Sequence, residues 1–129
     1  MVFCLVLVPK RVSNLIKGKI VFLATASSSS KPNLVCVEAN NVFEDKILIT
    51  NNMMCKTIKN LKQNKKASIA VFNKKGAFQL IGVVEIFSKG KWFGMVKELP
   101  ENKSYFPKSA ILFSVKEIWD LNKGVKCLL

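Results

Sequence analysis

"KILITNNMMCKTIKNLKQNKKASIAVF", Lys46 to Phe72, changes its period twice, and reading those changes decides the fold. "KILIT" is a short β-branched apolar run of the kind that forms a strand. From Met54 the spacing differs: Met54, Ile58 and Leu61 fall at i, i+4 and i+7, with Lys56, Lys59 and Lys62 between them. This predicts a short amphipathic helix ending near Asn64. "KASIAVF" then returns to strand. The abrupt strand-to-helix junction leaves first-turn N–H groups without intrahelical partners, and Lys56 and Thr57 stand there.

Outward from this block the same signals recur. "PKRVSNLIKG" has Pro9 where a first helical turn tolerates it and Gly18 where a helix stops, with Val12, Leu15 and Ile16 on one face. "KIVFLATA" is a continuous apolar run that suits a central strand, and it ends in the loop Ser27 to Ser30. "PNLVCVEA" restarts after it, so the two make a hairpin, and Glu44 to Lys46 reads as the next turn. After "NKKG", the run "AFQLIGVVEIFS" is long for a strand, and Gly82 within it suggests a bulge or a barrel corner. "GKWFGMVKELP" is helical, with Trp92, Met95, Val96 and Leu99 on one face, and "SAILFSVKEIWDL" is the last strand. The order is helix, three strands, helix, two strands, helix, strand. A small, mainly β domain over residues 1–129 follows, its bent antiparallel sheet closing into a barrel with peripheral helices.

The composition narrows the function. The formal charge is +13, and every basic residue except Arg11 is lysine. Such a surface favours anionic partners, but lysine acts as a point charge and lacks the planar fork that reads bases or clamps phosphate in two places. Most of this charge reads as solvated surface. There is no histidine, which excludes Ser-His-Asp and Cys-His catalysis and histidine-ligated zinc or haem. Cys4, Cys36, Cys55 and Cys127 form no C-x-x-C pair; they read as buried, reduced thiols of a cytoplasmic protein, and no metal site is expected. The opening "MVFCLVLVPKR" lacks a basic lead and is far shorter than the roughly 20 apolar residues that span a bilayer, so it reads as a short strand or apolar arm.

Local chemistry leaves two readings of the Lys56-Thr57 junction open. A helix N-terminus carries about half a positive charge, so an ammonium and a hydroxyl in its first turn could complete a phosphate cradle. Asn51 and Asn52 would then cap the helix or donate to the ligand. Alternatively Asn52 caps, Thr57 faces solvent and Lys56 is one surface lysine among many. The glycines of a Walker loop are absent.

The succession "KIVFLATA … KPNLVCVEA … KILITNNMMCKTIKNLKQNKKASIAVF … FQLIGVVEIFSKG" resembles the FMN-binding split-barrel family, the pyridoxamine 5'-phosphate oxidase-like flavoproteins. The resemblance covers roughly residues 12 to 121. Its most specific part is the strand–"NN-x-x-x-KT-x-x-N"–helix–strand block. It implies a six-stranded antiparallel split β-barrel, and a homodimer holding FMN in clefts along the subunit interface. By matching positions, Lys56 and Thr57 would hold the phosphate. Asn33 and the strand through Val35, Cys36 and Val37 would run along the ring system. Thr50, Asn51 and Asn52 would contact the ring or ribityl chain. Gln79 and Trp119 would approach from the partner subunit, although core or dimer packing explains Trp119 as well. The implied activity is that of an oxidoreductase of unassigned substrate, reduced by a nicotinamide cofactor or a redox protein. The arginine and histidine residues with which pyridoxamine phosphate oxidases grip their substrate are lacking, so that specific activity is not expected. Haem-degrading relatives that use a histidine ligand are excluded by composition.

No acid–base pair stands out, and a flavin enzyme does not need one, because the isoalloxazine carries the electron chemistry. Glu38, on the second strand, is the one carboxylate whose alternation could aim it into the barrel mouth. The competing function is a small basic barrel holding single-stranded nucleic acid without catalysis, with Phe72, Phe78, Trp92 and Tyr105 as stacking platforms.

Overall fold

The computed structural model describes residues 6–127. Three helices, α1 (Lys10–Ile16), α2 (Lys56–Gln63) and α3 (Lys91–Glu98), accompany strands β1 (Lys19–Ala26), β2 (Pro32–Phe43), β3 (Lys46–Asn51), β4 (Lys66–Asn73), β5 (Gly76–Phe87) and β6 (Ser109–Asp120). The elements and their order are those the periodicities predict. Two short pieces were not expected: a 3-10 turn at Pro100–Asn102, and a two-residue strand β7 (Val125–Lys126) on the edge of β6. The expected N-terminal strand does not form within residues 6–9, where Val6 and Val8 pack on the core as an arm; its remainder lies outside the described residues.

The sheet runs β3-β2-β1-β4-β5-β6, and an antiparallel β3–β6 pairing closes it into a six-stranded barrel. Inward residues of alternate positions fill it, among them Val21, Leu23, Ile47, Ile49, Ile69, Leu80, Ile111 and Phe113, all at most 1% exposed. Val12 and Ile16 of α1 join this core, as does Leu61 of α2. On the outside of β3 and β6, α3 lays Trp92, Met95, Val96 and Leu99 over Leu48, Ala110 and Leu112. Both faces of β6 are therefore covered, which is why "AILFSV" reads as an unbroken apolar run.

Two irregularities shape the barrel. At Gly82 the β5–β6 register shifts, so that Lys116 is the extra residue. A Cβ on Gly82 would overlap the Ser114 carbonyl and lie 2.8 Å from the Phe113 ring, so the strands approach here more closely than any side chain allows. The second shift lies between Ala39 and Asn41 of β2. It leaves Asn40 unpaired in the register, and Ala39 and Asn40 are buried consecutively where alternation would send one outward.

Candidate functional site

The site grows from the junction between β3 and α2. Cys55 occupies the N-cap position and no side chain caps the helix. Asn51 is buried instead, accepting from the Met54 N–H (3.1 Å) and donating to Ser109 Oγ (3.1 Å), which anchors the loop to β6. The first-turn N–H groups of α2, beside Lys56, thus have no side-chain cap. Thr57 is not solvent-exposed: it is 2% exposed and its Oγ1 accepts a hydrogen bond from Asn33 Nδ2 at 3.1 Å. Because Thr57 uses its oxygen toward Asn33, its own hydroxyl hydrogen is free to donate. The reading in which Asn52 caps and Thr57 faces water is therefore overturned. The asparagines are held by the loop and the strand ends, and Thr57 is turned toward β2.

Around this junction lies a cleft of about 470 Å³, within the usual range for small-molecule sites. Asn33, Val35, Cys36 and Val37 of β2, Thr50 and Asn52 at the end of β3, and Lys56 and Thr57 of α2 all line it. Glu38 also lines it, on the exposed part of β2. Two residues expected beside a ligand do not line it: Asn51, buried in its anchoring role, and Gln79, whose Nε2 donates to Ser68 Oγ at 2.9 Å on β4. Trp119 is half-buried on the outer side of β6, paired in register with Gln79, and its Nε1 donates to Glu117 at 3.2 Å. Within the chain it is not a core residue. A smaller cleft of about 300 Å³ adjoins the first, sharing Asn33 and Lys56 and adding Lys31, Lys59 and the serine loop.

Cys36 and Cys55 are exposed, not buried, and both line the main cleft; Cys127 is half-buried, and all three are free thiols. Cys36 falls on the outward phase of β2 and Cys55 precedes the first turn of α2, so neither position reaches the core. Cys4 lies outside the described residues.

Tyr105, named above only as a stacking platform, also lines the cleft, and the lining residues missed from sequence include Asn40, Glu101 and Asn102. They form one wall with a fixed hydrogen-bond direction. Asn102 Nδ2 donates to the Val96 carbonyl (2.7 Å) and to Thr50 Oγ1 (2.9 Å). A carbonyl can only accept, so the Asn102 amide has one orientation. Thr50 then donates to Asn40 Oδ1 (2.8 Å), and Asn40 Nδ2 donates to Glu101 Oε2 (3.1 Å). Asn52 Nδ2 donates to Asn102 Oδ1 (3.2 Å), leaving Asn52 Oδ1 as a buried acceptor without a donor among the described residues. The bulge in β2 brings Asn40 inward to join this wall. "ANN" in the sequence carries the bulge, but nothing local indicates which of its asparagines turns.

The family model described as pyridoxamine 5'-phosphate oxidase matches residues 8–122, which contain every cleft residue named above. This chain belongs to the pyridoxamine 5'-phosphate oxidase family. An uncharacterized protein of Methanocaldococcus jannaschii is 30% identical over 115 residues, which are 84% of this chain and 77% of that protein. Among solved structures, HupZ of Group A Streptococcus matches with a TM-score of 0.84 and 20% identity, over 94% of this chain and 99% of that one. An FMN-binding protein from Syntrophomonas wolfei subsp. wolfei matches with a TM-score of 0.69 and 18% identity, covering 84% and 78%. At these identities the structural matches establish the fold. Within the pyridoxamine 5'-phosphate oxidase family, the split barrel of this chain is the shared architecture, and its cleft chemistry has to be read from its own side chains.

Proposed function

We propose that the protein binds FMN in the main cleft and acts as a homodimeric, cytoplasmic flavin oxidoreductase whose donor is a nicotinamide cofactor or a redox protein. The observation that carries this reading is Thr57, buried and tied to β2 through Asn33, with a free hydroxyl hydrogen beside Lys56 at the uncapped start of α2. Amide, hydroxyl and ammonium donors together suit the oxygens of a phosphate monoester. Asn33 and the stretch Val35–Val37 would flank the ring system, with Thr50 and Asn52 on the side of the ring or ribityl chain. Bound FMN would supply hydride or single-electron chemistry; the chain's own residues bind it, orient it and shape access.

The homodimer is supported by the outward face of β1, β2 and β4. Ile20 is 66% exposed, Leu34 64% and Phe72 66%, and Phe72 stacks on Phe22 with centroids 6.2 Å apart. This patch continues into the cleft through Cys36. Gln79 and Trp119 stand at its other end, on β5 and β6, where a partner copy would carry them toward the cleft of its neighbour. No helix among the described residues is long and apolar enough to cross a membrane.

The test is the absorption spectrum of freshly purified protein, with any released flavin identified by chromatography. FMN at about one per chain supports the reading, and Lys56→Ala combined with Thr57→Ala should lower FMN affinity by roughly a hundredfold, the loss of two charge-assisted contacts. A double variant as yellow as the parent would place the phosphate elsewhere; a different phosphorylated cofactor in the eluate would keep the cradle and change its occupant. The nucleic-acid alternative loses two of its four platforms to packing, while Phe72 and Tyr105 stay exposed. Phe78 is buried against Arg11, and Trp92, on α3, packs on Phe43.

A further inference from the structure

Two side-chain bonds of one kind tie α2 to the β1–β2 hairpin. The first is Asn33 to Thr57, at the main cleft. The second lies three residues further along the helix. Asn60 is 7% exposed, and its Nδ2 donates to Oγ1 of Thr25, itself 5% exposed, at 3.1 Å. Thr25 stands opposite Asn33 in the β1–β2 register, so the two fixtures are neighbours, each an asparagine amide on a buried threonine. Asn60 lines the smaller cleft. An amide has two N–H groups, and the protein takes only one of them from Asn60. Binding of FMN in the main cleft makes no use of this residue.

The two clefts also differ in charge. The main one is lined by one lysine and two glutamates. The smaller, of about 300 Å³, is lined by Lys31, Lys56 and Lys59 and, among the described residues, by no carboxylate. Lys56 and Lys59 are i, i+3 neighbours on α2. Lys31 comes from the hairpin, where Ser27 fixes its backbone: the Lys31 N–H donates to Ser27 Oγ and its carbonyl accepts from the Ser27 N–H, both at 3.0 Å. Ammonium groups brought to one concavity from two sides repel each other unless an anion lies between them. A solvated lysine face has neither the concavity nor a buried amide in its wall.

We propose that the smaller cleft is a second anion subsite, which takes the distal phosphate of a pyrophosphate, so that the chain holds a pyrophosphate-linked flavin more tightly than FMN. The inference rests on the cofactor reading for the first phosphate, at Lys56 and Thr57, and extends it. The two phosphates of a pyrophosphate share one bridging oxygen, and the two clefts share Asn33 and Lys56. Lys56 then stands between the phosphates, Lys31 and Lys59 meet the distal one, and the free N–H of Asn60 donates to it.

The probes are FMN and FAD, titrated into flavin-free protein, and inorganic pyrophosphate, followed by NMR at the Asn60 side-chain amide. FAD is expected to bind roughly tenfold more tightly than FMN at low salt, the sum of two partly exposed charge contacts, and the margin should shrink as salt is added. Lys31→Gln with Lys59→Gln should remove that margin and leave FMN affinity unchanged. Pyrophosphate should move the Asn60 amide signals in the parent and not in the double variant. The two readings thus fail separately: a protein that takes neither flavin but keeps the Asn60 response to pyrophosphate retains the subsite and loses the cofactor. FAD binding no more tightly than FMN, or pyrophosphate leaving Asn60 unmoved, would overturn the proposal. So would a double variant with native circular dichroism that loses FMN and FAD equally, which would make the smaller cleft part of the first phosphate's own site.

Discussion

Leu48, Ala110 and Leu112, on the outside of β3 and β6, are buried beneath α3, whereas Ile20, Leu34 and Phe72, on the outside of β1, β2 and β4, lie open. Both sets belong to one closed barrel, and both occur in runs that read as apolar on two faces. "SAILFSV" acquires its second cover from the chain's own helix. "KIVFLATA" acquires none, although the outward Ile20 and Phe22 are as apolar as anything beneath α3. The difference teaches that a two-faced apolar strand announces a cover without saying whose. Exposed apolar patches of this kind mark interfaces, and the region beside the cleft is the one left for another molecule.

The sharpest way to break the comparison is to remove one side chain from each face. Leu112→Ala should cost about 2–5 kcal/mol in denaturant unfolding, because a fully packed side chain leaves a cavity. Phe72→Ala in dilute protein should cost much less. Equal losses would mean that the open face is covered within a single chain. Next in size is Gly82→Ala, which forces a methyl against the Ser114 carbonyl backbone and the Phe113 ring. Overpacking against backbone that cannot yield should cost about 1–3 kcal/mol, read by the same unfolding curves.

These two substitutions also divide what was legible in the sequence from what was not. The element order, the inward faces and the irregularity at Gly82 follow from period and glycine placement, because those are local properties of the chain. The strand-to-helix junction at Lys56 was legible as well, since the change of period there falls within a few residues. The wall of Asn40, Glu101 and Asn102 was not. Asn40 enters the cleft through a bulge, and its partner Glu101 lies 61 residues away on a 3-10 turn. Neither residue type signals its role, and only tertiary closure brings them together. The burial expected for Cys36 failed for a related reason. A β-strand with one open face looks, in sequence, like a strand with two closed ones.

Smaller in energy but decisive for assembly is Leu34→Lys combined with Phe72→Lys. Neither side chain supports the inner core, so the monomer should fold, while a second copy should no longer dock. Sedimentation velocity should show the parent as a dimer and the variant as a monomer, and the concentration dependence of the parent's melting temperature should vanish. If both proteins sediment as monomers, the open face meets some other molecule.

The smallest effect tests where the two regions meet. Thr57, on α2, is bonded to Asn33 on the strand that also carries the exposed Leu34 and Cys36. Thr57→Val keeps the shape and removes the oxygen, so the fold should lose about 0.5–1.5 kcal/mol, the net worth of one hydrogen bond. Thr57→Ser should retain most of that. If Thr57 serves only to join α2 to β2, FMN affinity will follow stability, and the valine variant will bind FMN nearly as the serine variant does. If the hydroxyl hydrogen is directed at a phosphate, the valine variant should lose FMN affinity roughly tenfold, as expected for a charge-assisted bond. The serine variant should then match the parent, and riboflavin, which has no phosphate, should bind parent and valine variant alike. That pattern separates a residue that braces the cleft from one that holds its occupant.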